Sequence, residues 1–551
     1  MIQPNARAAA ARGPAAARAA AASAAAALIG AALVGTAALA GCAQPAAPAA
    51  PPRAQASDAA RPAPPVAPPP AGGADPVGQG ELDDDAARLT QDEVARVLAR
   101  VAKARGLPVL REVRSRVLTR GEILARVRAH VEREIPDGVL DHQREVLAAL
   151  DLIPADYDFT AGMYRLLEGR IAGFYEPEDA TMYLVDDLSE TEAEETLAHE
   201  LVHALQDQSF SLGKLLRFKA GDSDRLAATH ALVEGEAMSA MFDVLVGSAF
   251  QMDESTLRKL VAMSTALSSV GDTPLVLQES LGAPYTDGFA FVQALRRDGG
   301  WASVDAVWRA LPETTEQLLH PEKLAAREPA VEVAVPTAAA LGPGFRVVFD
   351  DVMGEQALRI TFAAYGHREA AIGAAAGWGG DRYAVVQRDD PQDPTRRAFA
   401  LAWRLRFDRA ADAAEAGKVL ERRFGKACQQ RASLGPLAWT ARGSDVAIVA
   451  GPYERRGGGE VSAAGTCAGA KTWLAEVLKG GVGEKAGGAA GTGERRRGTG
   501  DGSRGSAREG RGRGDGGETQ MWRWRSAGMR AGRGQGRPTD GRCGGAARGR
   551  R

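Results

Sequence analysis

Apolar positions recur with a helical period along much of the chain's middle, and strands and turns interrupt them at definite places. Residues 89–103 repeat apolar side chains every three or four positions, with Thr90 as a plausible cap and Gly106-Leu107-Pro108 as the stop. Val109–Leu118 alternates like a strand, Arg120–Glu134 reads as a helix, and two short helices are expected over 140–151 and 158–169. Aromatic and β-branched residues flank a Pro/Glu/Asp turn between Gly173 and Val185, which argues a hairpin. Ser189 and Glu192 form a capping box that opens a helix reaching about Gln208. Asp222–Val246 reads as a further helix, and Pro284 is expected to begin another.

Beyond residue 345 the pattern changes. Helices at 354–364 and 367–375 precede Gly377–Arg382, which reads as an exposed turn. Strands follow at 383–388 and 398–407, a helix at 410–424, strands at 437–442 and 445–451, and a helix at 468–478. The β-β-α-β-β-α order argues an antiparallel sheet covered by helices. Cys428 and Cys467 bracket the last hairpin, and in an exported protein they can pair as a disulfide.

Composition separates the ends from this middle. Eleven of the 29 prolines lie between Pro45 and Pro76, and residues 480–551 hold 24 of the 65 glycines. The formal charge of −2 sums +3 over residues 1–80, −15 over 81–479 and +10 over 480–551. The acidic body carries no nucleic-acid footprint. Residues 1–42 combine Arg7, Arg12 and Arg18 with an Ala/Leu/Val run, the layout of an export signal. That run ends Leu39-Ala40-Gly41-Cys42, which resembles the lipobox of bacterial lipoproteins. The resemblance implies cleavage before Cys42, lipidation of its thiol and anchoring in the cell envelope; Ala43 favours the outer membrane. Residues 43–80 read as an Ala/Pro-rich linker, 81–340 and 345–478 as two α+β domains, and 480–551 as a disordered Gly/Arg-rich tail.

The candidate chemistry sits on two of the expected helices. His199-Glu200-Leu201-Val202-His203 places two imidazoles four residues apart, so both project from one face toward a common ion. Glu200 lies between them, able to reach a water rather than the ion. On the Asp222–Val246 helix, Ala227, Ala231, Ala237, Met238, Met241 and Leu245 fall within about 60° of Glu234 at 100° per residue. Glu234 is therefore a carboxylate within an apolar stripe, which is costly unless it is paired in a salt bridge or binds a metal, and it is the expected third ligand. Glu236 falls on the opposite face and is expected to be solvated. His230, one turn before Glu234 on nearly the same face, is open to a role as ligand or as support for one, and reads first as a satisfied core histidine. Gln206 and Asp207 continue the metal face of the first helix; Asp207, four residues after His203, is a candidate to orient that imidazole. Tyr183, Leu184 and Val185 are candidates for an edge that pairs with an extended substrate.

HExxH followed by Glu234-Gly235-Glu236-Ala237 on a second helix resembles the gluzincin branch of zinc metallopeptidases. The resemblance implies a zincin-like catalytic domain, one Zn²⁺ held by His199, His203 and Glu234, Glu200 as general base, and a peptide or protein substrate. It also implies a tyrosine donor for the oxyanion, for which Tyr285 is the candidate and His320 the other. The Gly-x-Met-Glu-Asn marker of the aminopeptidases is absent, which favours an endopeptidase. A non-catalytic lipoprotein module, or an amidase cutting cell-wall peptide, fits the same residues. Nothing in the sequence sets the oligomeric state.

Overall fold

The computed structural model describes residues 91–247, 273–366, 368–457 and 459–483. The export signal, Cys42, the linker and nearly all of the tail lie outside them. The first region runs α1 (Gln91–Arg105), β1 (Arg114–Leu118), α2 (Arg120–Glu134), α3 (Val139–Ala149), α4 (Phe159–Glu168), β2 (Gly173–Glu176) and β3 (Thr181–Val185). It continues with α5 (Glu190–Phe210), α6 (Leu212–Leu215), α7 (Ser223–Val246), α8 (Leu275–Gly299), α9 (Trp301–Arg309), α10 (Thr315–Leu319) and α11 (Pro321–Ala326). The second region holds β4 (Arg346–Asp351), α12 (Gly354–Ala364), α13 (Arg368–Ala375), β5 (Trp378–Asp389), β6 (Arg397–Phe407), α14 (Ala410–Phe424), β7 (Gln429–Arg431), β8 (Gly435–Arg442), β9 (Asp445–Arg455), β10 (Val461–Ala463) and α15 (Cys467–Val477).

The architecture is mixed α/β. A three-stranded sheet has the order β1-β3-β2, with β1 parallel and β2 antiparallel to β3. This corrects the expectation that Tyr183–Val185 forms an edge: both flanks of β3 are occupied, and among the described residues β1 and β2 each have a neighbour on one side only. The larger sheet is antiparallel, in the order β4-β5-β6-β9-β8-β7, with β10 added to β9. Its strands alternate between two cores, as a period of two requires. Val386, Ala400, Ala402, Ala447 and Val449 face Trp473 and Leu474 of α15. Val385, Leu401, Trp403 and Ile448 face the opposite way, into the main core.

That main core runs without a break from Val94 to Tyr453, so the boundary expected near residue 340 separates no two cores. Polar ties cross it as well. Glu145 of α3 accepts from the Tyr453 hydroxyl at 2.7 Å and pairs with Arg455 at 2.9 Å, and Tyr365 donates to the Leu150 carbonyl at 2.7 Å. Cys428 and Cys467 are joined by a disulfide that ties β7 to the start of α15.

Three local expectations are corrected. Gly377–Arg382 is no exposed turn: Trp378 begins β5 and is fully buried. Asp381 is buried with it because four donors satisfy its carboxylate, the Trp378 and Trp403 indoles and the Met353 and Gly354 amides, all at 2.9–3.0 Å. The helix expected to begin at Pro284 begins at Leu275, and the proline sits inside it. Glu236 is not solvated; it is fully buried, paired with Arg105 at 2.6 Å and accepting from the Trp308 indole at 2.5 Å. α7 is covered on both sides, so the face opposite Glu234 is interior too.

α7 and α8 touch backbone to backbone. A Cβ on Gly288 would lie 1.8 Å from the Ala231 carbonyl oxygen, and one on Gly235 would lie 2.0 Å from the Gly288 carbonyl carbon. Gly288→Ala should therefore force the helices apart and lower stability by about 1–3 kcal/mol or more. Gly373→Ala, at an exposed helical position with nothing within 4 Å, should instead raise it by about 0.5–1 kcal/mol. Urea unfolding of the two variants checks the opposite signs.

Asp224, in the first turn of α7, is fully buried, and burial raises its carboxyl from 3.8 to about 7 although Thr315 donates to it from both its amide and its hydroxyl. A carboxyl that is easier to protonate when folded favours the native state most below its unfolded value, and that contribution fades as pH rises through the folded one. Stability should accordingly fall between pH 3.8 and about 7. Thermal melts of Asp224→Asn across that window should show a shallower dependence than the parent.

Candidate metal centre

α5 is fixed at its start by the Ser189/Glu192 capping box, in which the Ser189 amide donates to Glu192 at 3.0 Å. From Glu195 to Asp207 the helix is buried, which carries His199, Glu200 and His203 into the interior at 1%, 0% and 4% exposure. α7 packs alongside and brings in Glu234, 2% exposed. The three expected ligands converge. His199 Nε2 and His203 Nε2 are 3.1 Å apart, and Glu234 Oε2 lies 3.2 Å from the first and 3.5 Å from the second. Bonds of 2.0–2.1 Å to a tetrahedral zinc ion would hold their donor atoms about 3.4 Å apart, so the spacing fits that ion. Neutral imidazole nitrogens with a carboxylate oxygen are also the donor types that zinc takes.

The three donors act strongly on one another. Burial works against charge on Glu234, but His203, His199 and His230 around it hold the carboxyl well below the usual range. Burial also opposes charge on His203, and the Glu234 carboxylate overrides it, pushing the imidazole up to about 9. His199 is shifted down, by burial and then by the neighbouring His203 charge, despite the bond to Glu234. Without an ion the positive charge thus rests on His203, held there by the Glu234 carboxylate.

Glu200 lies beside the triad without joining it. Its Oε2 accepts from the Tyr175 amide on β2 at 3.0 Å, and its Oε1 has no hydrogen-bond partner although it is fully buried. Burial pushes this carboxyl well above the ordinary range; His203 and the Tyr175 amide pull it back in part, and the Glu234 charge adds to the rise.

The surrounding shell differs from expectation in one position. His203 Nδ1 meets Gln206 Oε1 at 2.8 Å, and the Gln206 amide donates to the Val233 carbonyl at 3.0 Å. Gln206 therefore orients the imidazole and ties α5 to the residue before Glu234. Asp207, the expected orienting group, turns to Arg111 and to the Tyr175 hydroxyl at 3.2 Å instead. His230 Nε2 meets Glu234 Oε1 at 3.1 Å and so holds the carboxylate oxygen that faces away from the histidine pair. Tyr285 is buried with its ring centroid 6.3 Å from that of His199. His320 is engaged elsewhere, with Glu355 at 2.8 Å and Glu322 at 3.7 Å, neither of them in the triad. Tyr175, which touches both Glu200 and Asp207, carried no motif that could single it out. Among the described residues a second carboxylate cluster, Glu316, Glu328 and Asp408, surrounds the Lys323 ammonium, which lies 3.3 Å from Glu328 and 2.6 Å from Asp408.

Comparison with known proteins leaves this centre unassigned. A family model described as a domain of unknown function, DUF8575, matches residues 345–458, which lie outside the triad. No curated protein and no solved structure matches the chain.

If Gln206 sets the His203 orientation, Gln206→Ala should weaken Zn²⁺ binding about 10- to 100-fold, whereas Asp207→Ala should leave it near the parent value. Competition against a chromophoric chelator measures both. A loss confined to Asp207→Ala would reverse the assignment.

Proposed function

We propose that the chain is a zinc-dependent metallopeptidase of the gluzincin type, an exported lipoprotein held in the cell envelope through Cys42, and an endopeptidase in its mode of cleavage. The observation that carries this reading is the buried set His199, His203 and Glu234 at 3.1–3.5 Å, with an unmatched Glu200 oxygen beside it. The zincin-like fold of the first region is part of the same reading. It is supported by a mixed sheet next to the helix that bears His199 and His203, and by a second helix that bears Glu234.

When bound, zinc supplies Lewis acidity to a peptide carbonyl and lowers the pKa of a water. The chain's own residues do the rest. His199, His203 and Glu234 hold the ion, while Gln206 and His230 keep the ligand orientations fixed. Glu200 Oε1 takes the proton from the attacking water and then delivers it to the departing amine, as one carboxylate can in both steps. The Tyr175 amide holds the other Glu200 oxygen still during that exchange. Tyr285, packed against His199, is the donor assigned to the oxyanion. His320 is not assigned that role, because Glu355 engages its Nε2. The flank of β2 turned away from β3, the edge that meets Glu200 through the Tyr175 amide, is where an extended substrate would pair.

Glu200→Gln should retain one zinc per chain and lose about 10²- to 10⁴-fold in peptide cleavage. Metal content by plasma emission and digestion of a peptide library by the full chain read the two effects separately. Full activity in that variant would refute the mechanism. Zinc without cleavage in the parent chain would favour a non-catalytic module.

A further inference from the structure

A second cavity, apart from the triad, lies where α3 meets the ends of β6 and β9. Its volume is about 380 Å³, within the range of small-molecule pockets. Arg144, Arg397, Arg455 and Arg456 line it, with His142 and Thr395. Four arginines around one space is an arrangement that carboxylate and phosphate oxygens match, since the guanidinium fork donates to two oxygens at once.

The backbone gives an independent sign. Arg397 and Arg455 are direct partners in the β6/β9 register, and like charges placed opposite one another destabilise a sheet. Acidic groups offset this only in part. Glu145, behind the cavity, pairs with Arg455 at 2.9 Å and with Arg144 at 2.8 Å, and Asp141 in the lining pairs with Arg144 at 2.9 Å. These contacts fix two guanidiniums in place, with side chains only 12% and 23% exposed. The ion pairs of Arg397 and Arg456 are long and to exposed acids, 3.8 Å to Asp389 and 3.5 Å to Glu460, and Asp393 also acts on Arg456 through charge. Four cations thus face two closely held carboxylates. α3 adds to the same field, because Gly138 at its N-cap lines the cavity and offers no side-chain cap.

We propose that this cavity binds a small multivalent oxyanion of the phosphate-monoester class. Arg144 and Arg455 form its fixed floor, and Arg397 and Arg456 close on the ligand from the rim. Three of the four arginines fall in the matched region 345–458, so the site gives that region a ligand-binding role separate from peptide hydrolysis.

The test uses the full chain and inorganic phosphate in isothermal titration calorimetry at constant ionic strength. Saturable binding at one site per chain is expected, weakened at least about tenfold in Arg397→Ala/Arg456→Ala, since each lost charge-assisted hydrogen bond is worth about a factor of ten. Both positions are on the rim, and an unchanged melting temperature without phosphate verifies that the double variant folds. Sedimentation with vesicles containing phosphatidic acid, read as the loss in Arg397→Ala/Arg456→Ala relative to the parent and against vesicles of phosphatidylcholine alone, separates the sources of the phosphate. Binding of phosphate alone assigns a free ligand, and binding of both assigns a lipid headgroup. Absence of saturable phosphate binding, or binding unchanged in the double variant, overturns the proposal.

Discussion

The candidate centre depends on a crossing of two helices with no side chain between them. At Gly235 and Gly288 the backbones of α7 and α8 are in contact, and any Cβ there would overlap main-chain atoms. A contact that close leaves little freedom to slide or rotate, because the interface is peptide against peptide. It therefore sets the rotation of α7, and with it the directions in which the residues on either side of Gly235 point. Glu234 is turned to the histidines of α5, and Glu236 to Arg105 and Trp308. On the other helix, Tyr285 lies three residues before Gly288 and is carried to the His199 ring.

Other contacts lock that arrangement from the outside. Gln206 bridges His203 to the carbonyl of Val233, so the two ligand-bearing helices share a polar tie at the level of the site. The start of α7 is held by Ser223 bonding Asp351 of β4 at 2.6 Å, and by Asp224 accepting from Thr315. α8 is tied through Asp287 to Gln356 at 2.8 Å and to Arg359 of α12. Three of the anchoring residues, Asp351, Gln356 and Arg359, come from the region beyond residue 345. That region thus acts on the centre without contributing a ligand, by fixing the helices that do.

What the sequence made legible was local. The capping box and the four-residue histidine spacing are properties of one helix, and α5 carries both. The apolar stripe around Glu234 identified a buried carboxylate because burial at that angle does not depend on which element covers it. The same angular reading misplaced Glu236, since it can show that two residues face apart but not that the second face is also covered. Strand order is a long-range property, so the hairpin was readable while the insertion of β3 between β1 and β2 was not. Gln206 and Asp207 differ by one position on the helix, and only the imidazole's position decided between them. β4, β7 and β10 lacked a readable pattern; two of them are three residues long, and β4 ends in two aspartates.

Three glutamates within this centre and its support are almost fully buried, and each meets the cost of burial differently. Glu236 has a guanidinium and an indole N–H, a closed arrangement with nothing left to react. Glu234 has three imidazoles, which divide its two oxygens between the histidine pair and His230 and hold it in place. Glu200 has one backbone amide for one oxygen and no partner for the other. A buried carboxylate oxygen left unmatched is expensive in a purely structural role, since an apolar side chain of similar size would avoid the penalty. The same oxygen is what a proton-transferring base requires: a group held in place on one side and open to a reacting water on the other. Glu176 and Glu355 also leave a buried carboxylate oxygen without a hydrogen-bond partner, so it is the position of Glu200 beside His199 and His203, together with that open oxygen, that fits the proposed base.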